Sequence, residues 1–148
     1  MNIAAIQFPT FVPYEKAAIE IYVSGCTRGC KSCHNPEVQN FNYGKKLDVE
    51  ELVKYLMVRK HLFSIISLTG GDLLCQDEVE ALHLVSTLKL VFPTKEFWLF
   101  TGAELKDCPN WTKVVFDKIK SGLYNDNEKV DGFPASKNQK LNVKGKEY

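Results

Sequence analysis

Three cysteines, Cys26, Cys30 and Cys33, fall within the run Cys26-Thr27-Arg28-Gly29-Cys30-Lys31-Ser32-Cys33, spaced C-x3-C-x2-C. An extended residue spans only about 3.3–3.6 Å, so the three sulfurs stay close and the loop wraps one compact body. Iron–sulfur clusters are usually held by four cysteine thiolates. A four-iron cluster held by three leaves one iron open to a substrate, as a catalytic zinc site keeps an open position. Gly25 and Gly29 suit such a loop, because a backbone without Cβ turns tightly and approaches a ligand closely. Their amides can form an anion-binding nest around the sulfides.

Two other chemistries compete for the same residues. A disulfide framework fits poorly, since the motif cysteines sit too close together and the total of five is odd. Structural zinc wants four ligands, commonly as two separated pairs. His34, Cys75 or Cys108 would have to be the fourth, and His34 adjoins Cys33, which makes a shared tetrahedron awkward.

The rest of the chain must hold this loop in place. Its 148 residues suit one domain spanning 1–148, and 45% hydrophobic residues are enough for a core. A formal charge of +1 gives no reason to expect nucleic acid as a partner. Free cysteines fit a reducing compartment. Met1 to Pro13 lacks the basic head and apolar run of a signal peptide. No stretch approaches the ~20 apolar residues of a membrane span. The chain therefore reads as cytoplasmic.

Ile3 to Phe8 predicts a short strand, ended by Pro9 and Pro13. Ala17 to Val23 is β-rich and leads straight into the cysteine loop. Asp48, with Glu51 three residues on, marks a helix start. Val49, Leu52, Val53, Leu56 and Met57 follow as one apolar stripe. Phe63 to Leu68 predicts a strand running into Thr69-Gly70-Gly71-Asp72. A second helix begins near Asp77, with Ala81, Leu84, Val85 and Leu88 inward and Pro93 at its end. Glu96 to Phe100 predicts the third core strand, followed by Thr101-Gly102. Thr112 to Phe116 predicts the fourth, followed by Asp117.

Strands alternating with helices predict an α/β fold with a mostly parallel sheet and right-handed crossovers. A full eight-stranded barrel needs about 250 residues, so the expected form is an open sheet or a small partial (βα) barrel, with the cysteine loop after the first core strand. Ligands of parallel sheets bind at the carboxyl ends of the strands. The cysteine loop, the Gly-Gly-Asp turn, Thr101-Gly102 and Asp117 are thus expected on one face.

The C-x3-C-x2-C loop resembles the cluster motif of the radical S-adenosylmethionine (SAM) enzymes. The resemblance implies that Cys26, Cys30 and Cys33 hold a 4Fe–4S cluster and that the methionyl end of SAM chelates the fourth iron. Thr69-Gly70-Gly71-Asp72 resembles that family's Gly-Gly-Glu-Pro segment, which meets the methionyl amino group; Asp72 stands for Glu and Leu73 for Pro. Two glycines let backbone carbonyls approach an ammonium, and a carboxylate adds a charge partner. The alternative is a plain βα turn with an acid before the next helix.

Within that superfamily the chain resembles the small activating proteins of anaerobic ribonucleotide reductase. The resemblance lies in Val23 to Cys26, Cys33-His34-Asn35-Pro36-Glu37, the small Ser32 before the third cysteine, Phe97 to Gly102, Asp117 to Tyr124, and Ala135 to Gln139. It covers about Ile19 to Gln139; Phe11 to Glu15 stand where an Asn-Gly-x-Gly-type segment is expected. It implies reductive cleavage of SAM and storage of a glycyl radical on a large partner. That partner is the catalytic subunit of an anaerobic ribonucleoside-triphosphate reductase or, alternatively, a formate-lyase type of glycyl radical enzyme. An electron donor such as flavodoxin or ferredoxin is implied too. A non-catalytic iron–sulfur or zinc module is the reading from another class.

Thr101 is an expected SAM contact. Two readings stand for His34: shielding the cluster or touching the adenine edge, or an exposed loop histidine. Asp117 is read either as a contact to SAM or the partner's glycine loop, or as a solvated loop acid. His61 and His83 read as structural. Cys108 reads as a small buried residue; for Cys75 two readings stand, the same buried one and, from its place just beyond the Gly-Gly-Asp turn, an approach to the site. Lys137, Lys140, Lys144 and Lys146 read as a solvated basic tail. Anaerobic metal analysis decides the class: about four irons per chain with sulfide are expected for a cluster, and zinc without sulfide would end that reading.

Overall fold

The computed structural model of the chain describes residues 1–30, 33 and 35–148. In chain order the strands and helices are β1 (Asn2–Thr10), β2 (Ala18–Ser24), β3 (Lys45–Lys46), α1 (Val49–Val58), β4 (Ile65–Gly70), α2 (Glu78–Val91), β5 (Glu96–Phe100), α3 (Asn110–Val115), β6 (Lys118–Ser121) and β7 (Lys140–Val143). The described strands form one seven-stranded sheet in the order β3-β1-β2-β4-β5-β6-β7. The four central strands β2, β4, β5 and β6 run parallel. Pairing is antiparallel between β1 and β2, β1 and β3, and β6 and β7, so the α/β sheet is mixed with a parallel centre.

Side-chain alternation divides the sheet into two faces. Ile19, Ile21, Val23, Ile66, Leu68, Phe97, Leu99 and Ile119 turn toward the helices and pack with Leu52 and Leu56 of α1 and with Ala81, Leu84, Val85 and Leu88 of α2. A smaller cluster of Tyr14, Ala18, Ile65 and Trp98, flanked by Phe100 and Leu141, covers the other face. Buried Glu20 is satisfied there: Tyr14 donates to its Oε2 at 2.5 Å and Tyr22 to its Oε1 at 3.0 Å.

Both helices expected from capping residues start where their caps stand. Asp48 accepts the Glu51 amide at 3.1 Å and Asp77 accepts the Glu80 amide at 3.1 Å, each satisfying a free donor of the first turn. In α1 the inward stripe is narrower than its spacing suggests, for Leu52 and Leu56 are buried while Met57 is 39% exposed. The first strand runs to Thr10, past Pro9. Its pairing with β2 is irregular between Gln7 and Thr10, where a residue without an amide donor costs no ladder bond.

The Thr112–Phe116 expectation is corrected. These residues lie in and just after α3, which begins after Pro109. A strand would put residues 112, 114 and 116 on one face, yet Thr112 and Phe116 are fully buried while Val114 is 68% exposed. Short apolar runs carry no period long enough to tell the two apart. The fourth parallel strand is β6, a few residues later, pairing Trp98 with Lys118 and Phe100 with Lys120.

The burial pattern gives a graded expectation. Leu56→Ala lowers unfolding free energy by about 2–5 kcal/mol, Asp48→Ala by about 1 kcal/mol, and Met57→Ala by under about 0.5 kcal/mol. Urea denaturation measures all three, and equal losses at Leu56 and Met57 would mean a different helix register.

Candidate functional site

At the carboxyl ends of the parallel strands lies an open cavity with about 660 Å3 of atom-free space. Cys26, Cys30 and Cys33 line it, as do Thr69 and Gly70 at the end of β4, Gly71 and Asp72 just after it, and Thr101 and Gly102 after β5. Sequence reasoning thus named three of its walls. The cavity also takes Val38, Phe100, Lys120 and Gln139, which that reasoning left out as site residues.

The cysteine loop is fastened at its neck. The Gly25 amide donates to the Val38 carbonyl at 2.7 Å and the Cys26 amide to the Gln39 carbonyl at 3.1 Å. The 3₁₀ turn Pro36–Gln39 therefore closes the loop back onto the end of β2. On the other side, the Gly71 amide donates to the Val23 carbonyl at 2.7 Å and the Asp72 amide to the Gly25 carbonyl at 3.0 Å. Gln76 Nε2 adds donations to the Ser24, Gly25 and Asp72 carbonyls at 3.0, 3.0 and 3.1 Å. No motif pointed to Gln76; only tertiary proximity reveals it.

The glycines are needed for this approach. A Cβ on Gly71 would lie 2.5 Å from the Gly25 carbonyl oxygen. Gly70 has φ +100°, and a Cβ there would lie 2.7 Å from the Val23 carbonyl oxygen. Side chains at either position force the Gly-Gly-Asp turn away from the cysteine loop.

Asp72 is 1% exposed, and its carboxylate is fully engaged. It accepts from Arg28 Nε at 2.6 Å, from the Thr101 hydroxyl at 3.0 Å, from the Gly102 amide at 2.8 Å and from the Leu74 amide at 3.0 Å. Burial disfavours the Arg28 cation, but the Asp72 carboxylate overrides it and raises the guanidinium pKa. Burial pushes the Cys26 thiol up to about 11, against the Arg28 amide, which favours the thiolate, and with Cys75 and Asp72 adding to the rise. Burial draws the Lys120 ammonium down, opposed by Asp72 and Cys30. Metal ligation needs thiolates, so loading such a site releases protons.

Asp117 is a correction. It precedes β6 rather than following a strand, and its Oδ2 accepts the Phe97 amide at 2.8 Å near the start of β5. It belongs to the opposite end of the sheet because the run before it is a helix. His34 lies outside the described residues. Cys108 is buried in the main core, as expected. For Cys75 the reading that brings it to the site holds: it is half-buried beside the cysteine loop, the Thr27 hydroxyl approaches its Sγ at 3.5 Å, and it adds to the rise of the Cys26 thiol.

Among the described residues no three His, Cys, Asp or Glu side chains converge on a point as single-ion ligands do. The three thiols instead line one cavity. That arrangement suits a multi-atom body whose thiolates sit on different metal atoms.

The chain is similar in sequence to known proteins. Residues 17–143 match the model of a family described as a 4Fe-4S single cluster domain. The chain is 33% identical over 132 residues to the anaerobic ribonucleoside-triphosphate reductase-activating protein of Enterobacteria phage T4, covering 86% of this chain and 83% of that protein. It is 31% identical over 103 residues to the protein of the same name from Escherichia coli (strain K12), with 67% of each covered. It is 36% identical over 74 residues to the pyruvate formate-lyase-activating enzyme of Clostridium pasteurianum, covering 47% of this chain and 29% of that enzyme.

Gly71→Ala should therefore loosen the cysteine loop and prevent stable iron uptake. Gly29→Ala, where a Cβ meets nothing within 4 Å among the described residues, should keep iron at the cost of its φ of +60°, about 1–2 kcal/mol. Asp117→Ala should cost about 1–3 kcal/mol by orphaning the Phe97 amide and leave iron content unchanged. Iron and sulfide assays with thermal unfolding check all three.

Proposed function

We propose a function on this footing: the chain belongs to the 4Fe-4S single cluster domain family and to the anaerobic ribonucleoside-triphosphate reductase-activating proteins. It is a radical SAM activase that binds a 4Fe–4S cluster and SAM and installs a glycyl radical on an anaerobic ribonucleoside-triphosphate reductase. The observation that carries this reading is the shared cavity of Cys26, Cys30, Cys33 and the Gly-Gly-Asp turn. The chemistry that the bound cofactors would supply is one-electron reductive cleavage of the SAM sulfonium, releasing methionine, coupled to removal of a hydrogen atom from a backbone glycine of the partner.

The chain's own residues bind, orient and enclose. Cys26, Cys30 and Cys33 are the cluster ligands. The carbonyls of Thr69, Gly70 and Gly71 receive the methionyl ammonium. Lys120 supplies positive charge to the cavity for the methionyl carboxylate, and Thr101 holds its wall. Phe100 and Val38 make an apolar surface that limits water beside a reactive radical. His34 is a candidate for the adenine edge on its sequence position.

Residues 1–148 are read as one radical SAM domain with a small partial (βα) barrel; one sheet running from Asn2 to Val143 supports the single domain. An open cavity mouth suits a partner that brings its own glycine loop. An electron donor such as flavodoxin or ferredoxin completes the system, and the cytoplasm supplies one. No helix among the described residues is long and apolar enough to cross a membrane.

Anaerobic reduction with SAM is expected to release 5′-deoxyadenosine, and mixing with the reductase subunit to give a glycyl doublet in electron paramagnetic resonance. Cys30→Ala should abolish both, whereas Cys108→Ala should retain both. SAM cleavage without a doublet on the reductase, but with one on a formate-lyase type enzyme, would move the partner assignment.

A further inference from the structure

We infer that Arg28 and Asp72 are a charge-balanced pair of positioning residues that locks the cysteine loop to the turns after β4 and β5 and sets the charge beside the thiolates. For its effect on the cluster this rests on the reading above; the clamp itself stands on the structure alone.

Arg28 lies midway between Cys26 and Cys30 in sequence, so whatever fixes Arg28 fixes the span between two sulfurs. Its Nε meets Asp72 Oδ2 at 2.6 Å, with 25% of the Arg28 side chain and 1% of the Asp72 side chain exposed. Among the described residues Arg28 is the cation hydrogen-bonded to Asp72, while Lys120 acts on it only at longer range. The stem of Arg28 runs across Gly102: a Cβ there would collide with Arg28 Cδ and stand 3.0 Å from Nε. Gly102 thus lacks a side chain where the arginine passes, while its amide and the Thr101 hydroxyl bind the same carboxylate.

Asp72 therefore has no free lone pair directed at a cofactor ammonium. Its four partners come from the cysteine loop, the turn after β4 and the turn after β5. A carboxylate buried beside three thiolates adds negative charge where negative charge already accumulates. Arg28 cancels it. Removing one member of a buried pair leaves the other uncompensated, whereas removing both leaves a neutral site.

The test compares the full chain with Arg28→Met, Arg28→Lys, Asp72→Asn and the double variant Arg28→Met/Asp72→Asn. Hydrogen exchange of the amides of residues 26–30 is read in the cluster-free protein. Chelator-driven iron release and the cluster's reduction midpoint are read after anaerobic reconstitution. Arg28→Met should speed iron release about tenfold, the order of coupling between adjacent charged groups, and move the midpoint negative. Asp72→Asn should move the midpoint positive. The double variant should return the midpoint toward that of the unaltered chain, and Arg28→Lys should recover part of the iron retention.

A purely steric role gives no shifts of opposite sign, so shifts of one sign that add in the double variant would overturn the charge balance. Unchanged exchange at residues 26–30 in both Arg28 variants would overturn the clamp. If the unaltered chain takes up no iron, the cluster reading fails, and exchange alone still decides the clamp.

Discussion

A single buried carboxylate gathers the loops of this site. Asp72 is reached from the cysteine loop by Arg28 Nε, from its own turn by the Leu74 amide, and from the turn after β5 by Thr101 and Gly102. Burying an ion is costly unless it is paired and hydrogen-bonded. The converse gives the arrangement its specificity: once Asp72 is buried, each loop must sit where it satisfies one of the remaining lone pairs. The same carboxylate that looks like a ligand for a cofactor is spent on the architecture around that cofactor.

This constraint acts only because the sheet brings the loops to one end. Parallel pairing of β2 with β4, β4 with β5 and β5 with β6 points every carboxyl terminus the same way. The core between the sheet and α1 and α2 fixes the strands in register through Ile19, Ile21, Val23, Ile66, Leu68 and Leu99. Backbone contacts then finish the site. The Gly-Gly pair lets the turn after β4 donate to Val23 and Gly25, so two loops distant in sequence share one backbone network. With the cysteine loop on one side of it and the Gly-Gly-Asp turn on the other, the spacing of the two loops is set by backbone hydrogen bonds rather than by side-chain choice.

Much of this was legible in the chain. The cysteine spacing, the caps at Asp48 and Asp77, the β-rich run before Gly25 and the Gly-Gly-Asp after an apolar strand are local signals. Local chemistry suffices to read them, since a cap or a tight turn is satisfied within four residues. The fourth core strand was misread for the same reason. The run 112–116 is brief, with three apolar residues at its end, and the exposure of Val114 between buried Thr112 and Phe116 marks it as helical. That error moved Asp117 to the wrong end of the sheet, because the side of a loop depends on which element precedes it.

The sequence by itself determined the cysteine triad, the α/β class and the glycines that a close backbone approach requires, because each is written in residue type and spacing. Tertiary structure alone decided that Asp72 belongs to Arg28, Thr101 and Gly102, that Gln76 ties three carbonyls together, and that Thr27 is the residue that meets Cys75. Those are contacts between residues as many as 52 positions apart. No local propensity encodes which partner a buried charge or carbonyl finds; the packing of the sheet does, by bringing those groups within hydrogen-bonding distance and excluding the water that would otherwise satisfy them.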